Sequence, residues 1–306
     1  MHRRALLSLT LLAAACGPKP LPAPPPAPRV SMPGELIPSD LDVVVRLDLG
    51  RVKAALGAAA VSALAGDVLA RGSAKQAADE LLIASLLEAD LVYLGYRPSP
   101  QGAPLDRVLA LQGRFTQLMH PPSGFSSATD LGADVRYWDA TTPPSREGVA
   151  RIYAFGDRLR AFVSEAELDA MERQLGGAPS DQRLEAPSEG TLSLAARPTL
   201  LARLSGHGIL RRLLEGAKHL SAVLDLDSDA VRLKAELQLQ TPEQAADLVS
   251  AANLVAGRLL GARAAQFELR ADAERVLLSA KLSRADLAPA LGCLRAAEAG
   301  DSGCPW

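Results

Sequence analysis

Residues 231–239, VRLKAELQL, decide the fold of this chain. Apolar side chains at the odd positions, from Val231 to Leu239, alternate with charged or amide side chains at the even positions. A period of two is typical of a strand with one buried and one solvated face. The stretch therefore predicts a half-buried strand.

The elements on either side predict the C-terminal half, residues 188–306. Further strands are predicted at 191–196, 220–226, 266–271 and 276–282, and helices at 199–216, 242–260 and from 285. Thr241-Pro242 is a favourable helix start, a capping hydroxyl followed by proline. The order strand, helix, hairpin, helix, strand is that of a ferredoxin-like, split βαβ unit. We expect an α+β half with a mostly antiparallel sheet and helices packed on one face.

The N-terminal half, residues 35–180, begins with the same order. Residues 43–56 (VVVRLDLGRVKAAL) and 191–204 (TLSLAARPTLLARL) both fit strand, short turn and Leu-spaced helix. They indicate two similar halves and an internal duplication, although Ala/Leu-rich segments also align by chance. Strands at 43–49, 91–97, 107–112, 135–138, 150–155 and 159–163 are predicted, with helical sequence at 51–87 and no clear pattern at 119–132.

Two acidic motifs need a structural interpretation. Asp225, Asp227, Asp229 and Glu236 have the spacing of EF-hand calcium ligands, but Ala230 stands where that loop needs glycine. A hairpin with an acidic turn is the better interpretation. The second motif, Ser164-x-x-Glu167, predicts a capping box at a helix start, with Glu165 and Glu167 on a solvated helix face.

No catalytic or metal-binding set is predicted. The four histidines, His2, His120, His207 and His219, lack the short spacing of a zinc site. Ser205 and His207 are two residues apart and would point to different sides of a helix. We therefore expect no enzyme, no metal and no cofactor.

The N-terminus predicts export. Arg3 and Arg4 precede an apolar run that ends at Cys16, which is the pattern of a signal peptide over residues 1–15. Residues 12–16, LAAAC, resemble the lipobox of bacterial lipoproteins, although Ala13 stands where that family prefers leucine. The resemblance implies lipidation of Cys16, with acyl chains such as palmitate, and attachment to a membrane of the cell envelope. Gly17, rather than Asp, favours the outer membrane by the family's sorting rule. Alternatively, ordinary signal peptidase would leave a soluble periplasmic or secreted protein.

Cysteine number fits the lipid interpretation. With Cys16 acylated, Cys293 and Cys304 remain as a pair that could form a disulfide in an oxidising compartment. Alternatively, Cys293 is a buried helix residue and Cys304 is free. Residues 16–34 are rich in proline and predict an extended tether that holds the domain off the membrane.

Composition excludes several function classes. The net charge of −2 and the 4% aromatic content indicate neither nucleic-acid binding nor an aromatic ligand platform. The leading hypothesis is a non-catalytic lipoprotein that binds an envelope partner. A carrier of an apolar ligand, lined by the helices within 54–69 and 77–87, is second, and an envelope hydrolase using His120, His207 or His219 is third.

Overall fold

A computed structural model describes residues 30–59, 62, 77–97, 106–116, 121–144, 148–177, 183–197, 217–227, 229–260 and 265–283. These residues form one sheet of twelve strands with four α-helices. The strands are β1 (Val43–Asp48), β2 (Ala89–Arg97), β3 (Asp106–Gly113), β4 (Thr129–Gly132), β5 (Val135–Asp139), β6 (Arg151–Phe155), β7 (Leu159–Val163), β8 (Leu192–Ala196), β9 (His219–Leu226), β10 (Ala230–Gln238), β11 (Phe267–Asp272) and β12 (Arg275–Ser283). The helices are α1 (Leu49–Leu56), α2 (Ala77–Glu88), α3 (Leu168–Leu175) and α4 (Pro242–Leu260), with 3-10 turns at Pro33–Leu36 and Glu165–Glu167.

The strands lie in the order β11-β12-β10-β9-β8-β1-β2-β3-β7-β6-β5-β4. Every ladder between described strands is antiparallel. The prediction of an α+β chain with a mostly antiparallel sheet is confirmed. The strand β10 contains residues 231–238 of the alternating stretch that predicted it.

The ferredoxin-like connectivity of the C-terminal half is not confirmed. A split βαβ unit places the strand before its first helix beside a parallel strand. Here β8 instead pairs directly with β9, and the ladder is antiparallel. Residues 198–216, which include the helix predicted between these strands, lie outside the described residues.

The two halves share one strand order around the β1–β8 ladder. On one side the order is β1-β2-β3-β7-β6, and on the other it is β8-β9-β10-β12-β11. The N-terminal half adds β5 and β4 at its edge, between β3 and β6 in the chain. The C-terminal half has α4 at the corresponding point of its sequence.

The sheet has two faces, which we name by the side chains of its central strands. The front face carries Val44, Val108 and Ala161, and the back face carries Leu111 and Phe162. In the N-terminal half both faces are buried, because all five residues of β7, Arg160 among them, are buried. Each face therefore needs a cover.

Helices α1 and α2 cover the back face of the N-terminal half, whereas α3 packs on the front face through Met171. The prediction that helices pack on one face is thus wrong for α3. The N-terminal segment, residues 30–42, also covers the front face and buries Leu36, Ile37 and Leu41 to 1% exposure or less. Its buried Pro33 lies within the stretch predicted to be tether.

In the C-terminal half the two faces differ in polarity. One row across five strands, Leu194, Ala222, Ala235, Leu278 and Leu269, lies on the back face. The neighbouring row lies on the front face and consists of Ser193, Val223, Lys234, Ser279 and Glu268. Helix α4 packs on the back face, where Leu248 contacts the core around Leu237 and Val276.

Two predicted helix caps have different outcomes. At α4 the Thr241 hydroxyl accepts a hydrogen bond from the Gln244 N–H at 3.3 Å, so the N-cap is confirmed. At Ser164 the capping box is wrong, because Ser164 makes no side-chain capping bond to the turn that follows it. Its Oγ instead accepts the Arg107 N–H at 2.9 Å, which ties the end of β7 to β3.

Candidate functional site

A cleft of about 1290 Å³ lies in the described part of the chain. It lies at one end of the front face, where the β4–β5 and β6–β7 turns meet the C-terminal end of α3 and the N-terminal segment. We call it the turn cleft. Its lining comprises Val30, Ser31, Glu35, Gln112, Ala133, Asp134, Val135, Phe155, Gly156, Asp157, Arg158, Leu159, Gln174, Leu175, Gly176, Gly177 and Arg183.

Two hydrogen-bonded turns form one wall of the turn cleft. Ala133 and Asp134 have positive φ angles of 50° and 62°, which is the left-handed conformation of tight hairpin turns. The Gly156 N–H donates to the Asp134 carbonyl at 2.9 Å and joins the two turns. The Phe115 N–H donates to the Asp157 carbonyl at 2.8 Å, so the second turn is also attached to the chain after β3.

The N-terminal segment forms the opposite wall through a dense set of hydrogen bonds. The Glu35 carboxylate accepts the N–H groups of Ser31 at 2.7 Å and Met32 at 3.2 Å. Burial opposes ionisation of Glu35, but these donors hold its pKa below the ordinary value. The Gln174 amide donates to the Glu35 carbonyl at 3.0 Å, and Arg183 donates to the Gly34 carbonyl. The segment is therefore attached to α3 and to the residues before β8.

The cleft is suited to binding. Asp157 and Arg158 are exposed at its mouth and present opposite charges. Phe155, Leu159 and Leu175 add apolar surface to the lining. The lining residues include no histidine, cysteine or lysine. The arrangement can thus hold a partner by hydrogen bonds, ion pairs and apolar contact.

A second, smaller cleft of about 420 Å³ lies on the polar front face of the C-terminal half. Its floor carries Lys234, Glu236, Glu268 and Arg270. Arg275 forms an ion pair of 3.8 Å with Glu236. Exposed ion pairs of this kind contribute little to stability.

The acidic hairpin is confirmed as a turn between β9 and β10. Asp225 accepts the Thr191 hydroxyl at 3.1 Å and lies 3.5 Å from Arg51, whereas Asp227 pairs with Arg232. Glu236 lies inside β10, opposite Ser221. These carboxylates thus hold neighbouring strands and α1 rather than one shared ligand. No group of metal-binding side chains occurs among the described residues.

The remaining predicted site residues are placed only in part. His219 begins β9 opposite Gln238 and lines neither of the two clefts described above. Cys16, Cys293, Cys304, His2, His120, His207 and Ser205 lie outside the described residues. Of the described helices, none is long and apolar enough to cross a membrane.

One carboxylate is buried although the sequence predicted it to be exposed. Glu167, predicted on a solvated helix face, is 1% exposed. It accepts hydrogen bonds from Arg97 at 3.3 Å and 3.5 Å, and Arg97 also binds the Asp40 carboxylate at 3.1 Å. Burial raises the pKa of Glu167, and the Arg97 guanidinium offsets part of that rise. The three residues join β2, the turn before α3 and the N-terminal segment.

Arg160 is also buried, at 4% exposure, and no sequence motif pointed to it. It donates to Ser85 Oγ at 2.7 Å and to the Thr116 carbonyl, and it lies 4.6 Å from the centre of the Phe115 ring. Burial lowers the pKa of Arg160. The available sequence signal for Arg160 was that it alternates with apolar residues in β7. An exposed arginine in an edge strand would have given the same pattern.

Comparison with known proteins shows a shared fold. No family model and no curated protein matches the chain. Crystal form I of a protein named TP0453 matches 86% of this chain and 98% of its own, with a TM-score of 0.53 and 14% sequence identity. Crystal form III of the same protein matches over the same shares, with a TM-score of 0.50 and 13% identity. At this identity, the chain is similar to TP0453 in fold alone.

Proposed function

We propose that this chain is an exported lipoprotein, anchored through Cys16, whose non-catalytic domain binds another component of the cell envelope at the turn cleft. The observation that carries the proposal is which parts of the chain form the cleft. One wall is the N-terminal segment, which continues directly from the Pro-rich stretch, and the mouth presents Asp157 and Arg158. Anchor and cleft are therefore adjacent along the chain.

The spacing between anchor and cleft supports this role. Residues 17–29 separate Cys16 from Val30, which lines the cleft. At about 3.1 Å per residue in extended polyproline geometry, this stretch reaches about 40 Å. A partner bound in the cleft would be held within that distance of the membrane surface.

Photo-crosslinking in cells tests the binding proposal. A photoreactive phenylalanine analogue at Arg158 should give an adduct of one defined mass, and the same analogue at exposed Asp247 on α4 is the matched control. The adduct should weaken when Cys16→Ala releases the chain from the membrane. Equal adducts from both positions, or none from Arg158, would contradict binding at the cleft.

Intact mass of the membrane-extracted protein tests the anchor separately. The expected mass is that of a chain starting at an acylated Cys16, lower by two hydrogens because Cys293 and Cys304 are bonded. A chain without acyl groups would remove the lipid anchor from the proposal, and an unchanged hydrogen count would remove the disulfide.

An apolar-ligand carrier is the second candidate, and one feature favours it. On the back face, Leu224, Leu233 and Leu278 are partly exposed although they lie in the middle of the C-terminal half. A carrier would retain a lipid through purification, which mass spectrometry of an organic extract would detect. Purified protein without bound lipid would exclude this candidate.

We also propose that the two halves arose by duplication. The equivalent strand orders around the β1–β8 ladder support it, with β5 and β4 as an addition to the first half. An experimental structure in which the five strands of one half do not superpose on those of the other would contradict it.

A further inference from the structure

The two edges of the sheet are built differently. The edge strand β4 has four residues, and its pairing with β5 is irregular between Asp130 and Gly132. Short, irregular edge strands are a common protection against pairing with another chain. At the other end, β11 pairs with β12 over six consecutive residues without irregularity. It carries no proline, lysine or glycine, and no strand among the described residues pairs with its other side, so this edge is regular and can accept a further strand.

The side chains of β11 separate cleanly by face. Phe267 and Leu269 are half-buried on the back face, and Leu269 packs in the core under α4. Glu268 and Arg270 are exposed on the front face. A strand added beside β11 would thus extend an apolar back face and a charged front face.

The backbone of β11 has its free groups at the apolar positions. A two-residue turn, Ala273-Glu274, joins β11 to β12, so Asp272 and Arg275 form the closing pair. In an antiparallel ladder, residues alternate between hydrogen-bonded and non-hydrogen-bonded pairs. Counted back from the closing pair, Glu268 and Arg270 direct their backbone groups to β12. The N–H and C=O groups of Phe267, Leu269 and Ala271 then point to the open edge.

We propose that two copies of this chain associate through β11, antiparallel and about a two-fold axis at Leu269, so that the sheet continues from one copy into the other. In this register, Leu269 exchanges backbone hydrogen bonds with Leu269 of the second copy, and Phe267 lies opposite Ala271. Glu268 of each copy then lies opposite Arg270 of the other. These are non-hydrogen-bonded positions, where opposite side chains come closest.

The charges select this register over its neighbours. Only shifts of two residues keep the apolar side chains on the back face. A shift in one direction places Glu268 opposite Glu268 of the second copy. A shift in the other direction places Arg270 opposite Arg270 of the second copy. Like charges directly opposite one another are destabilising. The same pairing cannot form with the irregular β4 edge, so the assembly closes as a dimer.

Sedimentation velocity of the purified full chain tests the proposal, with Cys16→Ser in every sample so that an acyl group does not drive association. The parent should form dimers as concentration rises. Glu268→Arg and Arg270→Glu each bring two like-charged pairs together and should weaken the dimer at least tenfold. Lys281→Glu, an exposed reversal on β12 one strand from the edge, is the matched control and should leave the dimer unchanged.

Mixing the two variants distinguishes a loss of pairing between the β11 strands from a loss of folding. Glu268→Arg presents two arginines and Arg270→Glu presents two glutamates, so the two chains together restore every opposite-charge pair. A heterodimer should form at parental strength from two chains that do not self-associate. A monomeric parent, variants as dimeric as the parent, or a mixture without heterodimer would each overturn the proposal.

Discussion

Replacing Arg97 by methionine should destabilise the chain in a pH-dependent way. The substitution leaves Glu167 without its cation at 1% exposure. Removing one partner of a buried ion pair costs about 3 to 5 kcal/mol. The Arg97 side chain is 38% exposed, so solvent screens part of the interaction and we expect about 3 kcal/mol at pH 7.

The sign of the pH dependence follows from the raised pKa of Glu167. A carboxyl group with a higher pKa in the folded than in the unfolded chain contributes most below its ordinary value of 4.5. That contribution is lost as pH rises through the folded-state pKa. Without Arg97 the pKa of Glu167 rises further, so the loss of stability should be largest at pH 7 and less than half as large at pH 4.5.

Urea unfolding at several pH values measures this effect. Arg136→Met is the matched control, because Arg136 is 55% exposed and lies 4.0 Å from an exposed Asp130. That control should change the free energy of unfolding by less than about 0.5 kcal/mol at any pH. The argument fails if Arg97→Met costs no more than the control, or if its cost is the same at pH 4.5 and pH 7.

Two further substitutions test the local geometry by thermal or urea unfolding. Gly190→Ala should cost at least about 2 kcal/mol, because φ is +79° and the new Cβ would overlap Val223 Cγ1. Gly124→Ala, at φ +82° with nothing within 4 Å, should cost only about 1 kcal/mol, and equal losses would contradict the contact argument. Thr241→Ala should cost about 1 kcal/mol by removing the bond from the Gln244 N–H, whereas Thr241→Ser should restore stability.

Sequence periodicity predicted most of the strands within the described residues. The helix predicted at 242–260 is α4 with the same bounds, and the strand predicted at 159–163 is β7. Alternation and capping are local signals, so they can be seen without tertiary contacts. The strand β4 was missed, because all four of its residues are exposed and none supplies an apolar alternation.

Connectivity could not be predicted in the same way. The order strand, helix, hairpin, helix, strand fits both a split βαβ unit and the all-antiparallel order found here. The choice depends on which strands lie side by side, and that is decided by contacts distant in sequence, such as Val45 opposite Leu194 in the β1–β8 ladder. Contacts distant in sequence also decide which helices and segments cover the two faces of the N-terminal half.

The sequence by itself determined most of the described strands except β4, the α4 helix and the prediction of export with a lipid at Cys16, because each depends on neighbouring residues. Tertiary structure alone decided the positions of Glu167 and Arg160, the walls of the turn cleft and the place of β11 at the edge of the described sheet. Burial of a charged side chain depends on a partner that the chain brings from elsewhere, as Arg97 reaches Glu167 across 70 residues. Such pairings leave no period in the sequence.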